Sequence, residues 1–197
     1  MPPITLALIL LNILIYALEL VTGPEIIRVF GLWPPGSGGA FHLWQLITYG
    51  FLHASLTHLG FNMFAVWMFG AELETRWSDL RYLLTYLLSV VVAAITQIVV
   101  ANYFLNISGV VIGASGGVFG LLLAYALYFP RRVVSIIFLP FIRIPVRIFV
   151  LGYGVVELLL GLTGRDAGVA HFAHLGGLLG GWLGVQYFRG RGVFGKR

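Results

Sequence analysis

Gly113-Ala114-Ser115-Gly116-Gly117-Val118-Phe119-Gly120, continued to Pro130 by Leu121-Leu122-Leu123-Ala124-Tyr125-Ala126-Leu127-Tyr128-Phe129, sets one hydroxyl at the mouth of an uninterrupted apolar helix. Pro130 ends that helix, since proline has no N–H to donate and its ring meets the carbonyl four residues back. Ser115 to Phe129 is 15 residues, about 22 Å at about 1.5 Å per residue, against a hydrocarbon core about 30 Å thick. Such a helix is too short to cross a bilayer. The loop before it, 102–112, is therefore expected to dip into the membrane, which is tolerated only where backbone polar groups are buried in protein or face water. A serine at this helix start gains backbone N–H donors for a developing negative charge, and the glycines beside it let a second backbone approach. Close packing of small residues is the competing reason for the glycines.

The rest of the chain is of the same kind. It is 59% hydrophobic and 10% charged, with a mean hydropathy of +0.97, whereas soluble domains carry about 25% charged residues. That excludes a soluble domain, a disordered chain and a coiled coil, and it excludes nucleic acid as a partner despite a net charge of +5. The partner is a lipid bilayer. Apolar runs at 4–21, 52–69, 80–102, 115–129, 146–162 and 170–188 predict an all-α membrane protein, six transmembrane helices around a polar outward-facing cavity, in a single domain over 1–197. The first run lacks the basic start and small-residue cleavage site of a signal peptide and reads as a retained span. Residues 22–49, broken by Pro24, Pro34, Pro35, Gly36, Gly38 and Gly39 and carrying Trp33, Phe41 and Trp44, read as a long structured interfacial loop. The segment 133–145, interrupted by Pro140 and Arg143, is expected to lie along one surface. The absence of cysteine removes disulfides and thiolate chemistry.

Six crossings put both termini on one side. Arg76, Arg81, Arg131, Arg132, Arg143, Arg147, Arg189, Arg191, Lys196 and Arg197 fall on that side, and only Arg28 and Arg165 fall opposite. The excess of basic residues predicts cytoplasmic termini in the cell membrane, with the long first loop and the loop 163–169 outside.

Polar residues inside such a chain carry the information, because each costs free energy unless it lines a cavity or finds a partner. Four stand out: His58, Asn62, Ser115 and His174. Asn62, Ser115 and His174 stand 14, 16 and 15 residues from Arg76, Arg131 and Arg189, the basic ends of their own helices. At about 1.5 Å per residue all three lie about 21 to 24 Å above the cytoplasmic belt. His58 is one turn higher on the face of Asn62.

A serine becomes a nucleophile when a general base reaches it. His174 precedes Gly177 and Gly181, whose spacing of four flattens one helix face; Gly116 and Gly120 repeat that spacing after Ser115. If those faces meet, imidazole and hydroxyl touch. No acid completes a triad in sequence terms: Asp166 lies eight residues before His174, and Glu157 reads as a buried hydrogen-bonding group of the fifth span. The reading is a Ser-His dyad, with His58 and Asn62 as oxyanion donors, no metal and no cofactor. Two other classes stay open. A metal-handling channel would use the histidines, with His171 and His174 at i, i+3, yet the sequence reveals no acid or thiolate joining them within the helices. A non-catalytic membrane-binding protein would not need both Ser115 and His174.

These residues resemble a known family, the rhomboid intramembrane serine proteases. The likeness runs through His53, His58 and Asn62, Gly70-Ala71-Glu72-Leu73-Glu74-Thr75-Arg76, the Gly113-Ala114-Ser115-Gly116 motif, and Ala173-His174 with Gly177 and Gly181. The resemblance implies Ser115 as nucleophile, His174 as base, and His58, Asn62 and the Ser115 backbone N–H as oxyanion donors. It implies transmembrane protein substrates, cut near the outer boundary. It further implies that Glu74 and Arg76 tie the cytoplasmic end of the second helix and that His53 braces the first loop; Gly113, Gly116, Phe119, Gly177 and Gly181 support the site. Two positions depart from the family pattern. Phe119 stands where bacterial members carry a tyrosine stacked on the histidine, and Gln45 follows Trp44 where many have arginine.

Overall fold

Helix starts and stops follow the proline, glycine and serine positions. The computed structural model describes residues 1–105, 108–136, 139–164 and 168–189, with backbone alone at 136, 139, 140 and 142. Arg165, Asp166, Arg191, Lys196 and Arg197, used in the sequence arguments, lie outside the described residues. Pro3 opens α1 (Pro3–Thr22), Gly23 ends it at φ +67°, and Pro24 opens α2 (Pro24–Phe30). A short helix α3 (Gln45–Thr48) follows. Ser55 caps α4 (Leu56–Ala65), its hydroxyl accepting from the His58 N–H at 3.1 Å. That helix continues through one π turn into α5 (Ala71–Arg76). Ser78 caps α6 (Asp79–Val100), which runs on through a π turn to Leu105. Then come α7 (Ser115–Tyr128), α8 (Val146–Thr163) and α9 (His171–Phe188).

The stretch 133–145 is neither helical nor featureless. Strands β1 (Val133–Ile136) and β2 (Leu139–Pro145) pair antiparallel, Val133 opposite Pro145 and Ser135 opposite Arg143. The expectation of an all-α fold therefore needs this one amendment. Pro140 and Pro145 deny the segment a helix, and the β-branched Val133, Val134 and Ile144 suit an extended backbone.

By length and composition, Pro3–Thr22, Asp79–Leu105 and Val146–Thr163 are long and apolar enough to cross a membrane, while Ser115–Tyr128 is apolar but shorter. Their outer faces are uncovered: Leu10, Leu14 and Leu20 on α1 and Ile148, Leu151 and Leu159 on α8 are all exposed. An apolar exterior of this extent suits lipid rather than water.

Close backbone packing holds the centre, since lipid leaves apolar side chains no hydrophobic gain from meeting each other. Helix α9 wedges between α6 and α7 by two rows of glycine. One row faces α7: a Cβ on Gly177 would overlap the Gly116 carbonyl oxygen, and one on Gly181 the Gly120 carbonyl oxygen. The other faces α6: a Cβ on Gly176 would lie 2.8 Å from the Ala93 Cα, and one on Gly180 2.5 Å from the Ser89 Cα. The sequence reading found the first row and missed the second.

Polar ties fix the ends of these helices. Glu74 accepts from Ile4 N and Thr5 N, at 2.7 Å each, and from Thr5 Oγ1 at 2.6 Å, so it caps α1, which has no side-chain cap of its own. In the first loop Gln45 is fully buried. Its Oε1 accepts from Trp33 N and His42 N at 3.3 Å, and its Nε2 donates to Val29 O at 3.2 Å and Ala40 O at 3.1 Å. An orphaned buried donor costs about 1–3 kcal/mol, so a neutral amide that meets two donors and two acceptors anchors this loop without an ion pair. His53 ties the loop through its backbone N–H, which reaches the Glu19 carboxylate at 3.1 Å, while its ring lies edge-on to His58.

Candidate active site

Ser115 is the first residue of α7, where the opening N–H groups have no acceptor within the helix. The turn before it is set by Gly113, at φ +133°, a conformation that side-chain-bearing residues rarely adopt. Gly113 donates to Tyr49 O at 3.0 Å. It also lies against the His58 ring: a Cβ there would come within 2.8 Å of His58 Cε1 and 3.7 Å of Ser115 Oγ. Glycine is thus required twice over, for the backbone angle and for the imidazole it leaves room for.

His174 lies in the first turn of α9, and its Nε2 is 2.8 Å from Ser115 Oγ. The glycine contacts between α7 and α9 make this distance possible, because His174 and Gly177 share a face, as do Ser115 and the next turn of α7. The Phe119 ring stacks on His174 with centroids 4.3 Å apart and planes within 7°. It needs no hydroxyl to do so. Gln97 on α6, absent from the sequence-derived site, accepts at 3.1 Å from Ala173 N, which also reaches Ala170 O at 2.9 Å, and so ties the start of α9 to α6.

His58 and Asn62 come from α4. His58 is half-buried beside Gly113, whereas Asn62 is buried with its Nδ2 donating to His58 O at 3.0 Å. That bond uses one of the two amide hydrogens.

The arrangement departs from the sequence reading at Glu157. This buried carboxylate on α8 puts Oε2 2.7 Å from His171 Nδ1 and 3.0 Å from His174 Nδ1. An acid therefore does join the histidines within the helices, contrary to the expectation. What hid it is separation in sequence: the partners lie 14 and 17 residues away, on the helix that follows α8. The contact with His171 is a hydrogen bond; that with His174 is at ion-pair distance but out of line with the ring N–H. Glu157, His171 and His174 could each offer one ligand atom to a metal ion, those atoms lying within 4.8 Å of one another. Ligands arranged tetrahedrally about zinc stand about 3.3 Å apart. Spacings of 2.7 and 3.0 Å fit a shared proton better than an ion.

A profile of the rhomboid domain matches residues 40–191. The chain is 32% identical over 115 residues to rhomboid protease GlpG of Yersinia pestis (strain Pestoides F), a match covering 58% of this chain and 41% of that one. It is 28% identical to rhomboid protease GluP of Bacillus subtilis (strain 168), over 100% of this chain and 37% of the relative. The chain thus spans about two fifths of the length of the curated relatives it matches.

Proposed function

The chain belongs to the rhomboid family, and from that premise we propose that it is an intramembrane serine endopeptidase, cutting transmembrane segments of membrane-anchored proteins near the outer bilayer boundary. The observation that carries this reading is the 2.8 Å contact between His174 Nε2 and Ser115 Oγ. Ser115 Oγ adds to the scissile carbonyl carbon as His174 Nε2 takes its proton, and the carbonyl electron pair moves onto oxygen. The resulting oxyanion is met by the Ser115 N–H, His58 and Asn62. Collapse breaks the C–N bond, and the imidazolium returns its proton to the leaving amine, leaving an acyl ester on Ser115. Water, deprotonated by His174, then cleaves the ester and restores the serine. Gly113, Gly116, Gly177 and Gly181 keep the reacting groups close, and Phe119 holds the imidazole. No step calls for a metal or cofactor.

The topology belongs to the same proposal. Six crossings near 4–21, 52–69, 80–102, 115–129, 146–162 and 170–188 leave both termini cytoplasmic, and a water-filled cavity opens from Ser115 to the outer face. The hydrolytic step requires that opening, since lipid supplies no water. The uncovered apolar faces of α1 and α8 support a lipid surround.

A serine-reactive fluorophosphonate is expected to label wild-type protein at Ser115 and to leave Ser115→Ala unlabelled, and cleavage of a detergent-solubilised transmembrane substrate is expected to be unchanged by EDTA. Loss of activity in EDTA, restored by zinc, would replace the serine mechanism with a metal-activated water. Asn62→Ala is expected to lower kcat by ~10²-fold to 10³-fold, as removal of one oxyanion donor typically does. Wild-type kcat in that variant would remove Asn62 from the oxyanion site.

A further inference from the structure

We infer that Glu157 is a positioning residue for His174, held in place by His171, so that this chain sets three side chains, Ser115, His174 and Glu157, in series rather than two. The inference deepens the proteolytic reading and rests on it. Its basis is the geometry on the two sides of one imidazole. Nε2 of His174 lies 2.8 Å from Ser115 Oγ, and on the opposite side Nδ1 lies 3.0 Å from Glu157 Oε2. A neutral imidazole carries its proton on one nitrogen only, so Nε2 can accept from Ser115 only while Nδ1 holds the proton. A carboxylate beside Nδ1 favours that tautomer and the imidazolium that forms after proton transfer. His174 Nδ1 is buried and has no well-aligned hydrogen bond among the described residues, which leaves Glu157 as its counterpart.

Two further features hold Glu157 there. His171, one turn before His174 on α9, makes the aligned 2.7 Å bond to the same oxygen, Oε2. Gly161, one turn beyond Glu157 on α8, lets the helices close: a Cβ on it would come within 2.8 Å of the Phe172 ring and 3.2 Å of His171 Cβ. The shared oxygen explains why the His174 contact is out of line. Oε2 sits where His171 sets it, and a small turn of the His174 ring, of the kind that accompanies substrate binding, aligns the second bond.

The test uses the full chain in detergent. Glu157→Gln keeps the shape, loses the charge, and, where its amide nitrogen takes the place of Oε2, offers His174 Nδ1 a donor that favours the wrong tautomer. We expect its kcat to fall by roughly 10²-fold with KM unchanged, less than the roughly 10⁴-fold known where the carboxylate–imidazole bond is already aligned. Glu157→Asp, with a shorter reach to the same charge, should recover part of the loss. A purely structural role would not move the imidazole proton. Nitrogen-15 NMR of histidine-labelled protein, with the His174 signals identified by their loss in His174→Ala, should show Nδ1 protonated in wild type and a shift towards Nε2 protonation in Glu157→Gln. A Glu157→Gln protein with kcat within twofold of wild type and an unmoved His174 tautomer would overturn the inference. If Glu157→Gln fails to fold, the near-isosteric, uncharged Glu157→Met decides by the same two readings, kcat within twofold of wild type and an unmoved tautomer counting against the inference. If wild type neither cleaves nor labels at Ser115, the proteolytic reading fails, and the tautomer comparison alone still decides whether Glu157 sets the His174 proton.

Discussion

Ser115→Ala and His174→Ala are each expected to abolish proteolysis, by roughly 10⁶-fold where nucleophile and base act as one unit. The reason is mutual dependence. Without the imidazole the hydroxyl keeps its proton, and without the hydroxyl the imidazole has nothing to activate, so the double variant should be no worse than either single one. Folding should be little affected by the loss of the hydroxyl, because Ser115 is half-buried and its side chain bonds only His174 among the described residues. The measurement is turnover of a transmembrane substrate by the three variants, alongside thermal unfolding in the same detergent. Wild-type turnover by Ser115→Ala would sink the central assignment. Additive losses in the double variant would show that the two side chains act separately.

Gly177→Ala is expected to cost roughly 10²-fold in activity without touching a reacting group. Its new Cβ would overlap the Gly116 carbonyl oxygen, and backbone cannot step aside as a side-chain tip can. Either α9 moves off α7 or the pair fails to close, and overpacking of this kind typically costs about 1–3 kcal/mol. Gly177 shares a face with His174, and Gly116 follows Ser115 directly, so any separation opens the 2.8 Å contact between His174 Nε2 and Ser115 Oγ. A misplacement of about 1 Å is worth roughly 10²-fold in rate. Gly152→Ala is the matched control: on the exposed side of α8 nothing lies within 4 Å of a new Cβ, and helix propensity favours alanine by about 0.8–1.0 kcal/mol. Fluorophosphonate labelling rates and melting temperatures should therefore fall for Gly177→Ala and hold or rise for Gly152→Ala. Equal labelling by both would show that the glycine contact does not govern the site.

The residues that the glycines bring together were legible in different degrees. Ser115 at a helix start, and the matched four-residue spacing of Gly116 with Gly120 and of Gly177 with Gly181, are local patterns, and period alone predicts which face they occupy. The second glycine row of α9, at Gly176 and Gly180, was equally visible but had no partner pattern on α6, where Ala93 and Ser89 receive it through backbone atoms. Gln45 could be seen only as a missing charge. That its amide satisfies two donors and two acceptors depends on how residues 29–42 fold around it.

Composition determined that the exterior is apolar, and the positions of proline, glycine and serine determined most helix ends, because the cost of a polar group in lipid and the cost of a missing N–H are paid locally. The shared depth expected of Asn62, Ser115 and His174 likewise rests on sequence alone, since rise per residue turns a count into a height. Azimuth does not follow. Which side of α8 faces α9 is set by where Gly161 permits contact with Phe172 and His171. That rotation, a property of two packed helices rather than of either segment, carries the Glu157 carboxylate to His174 and lets one buried acid face the histidine that faces the serine.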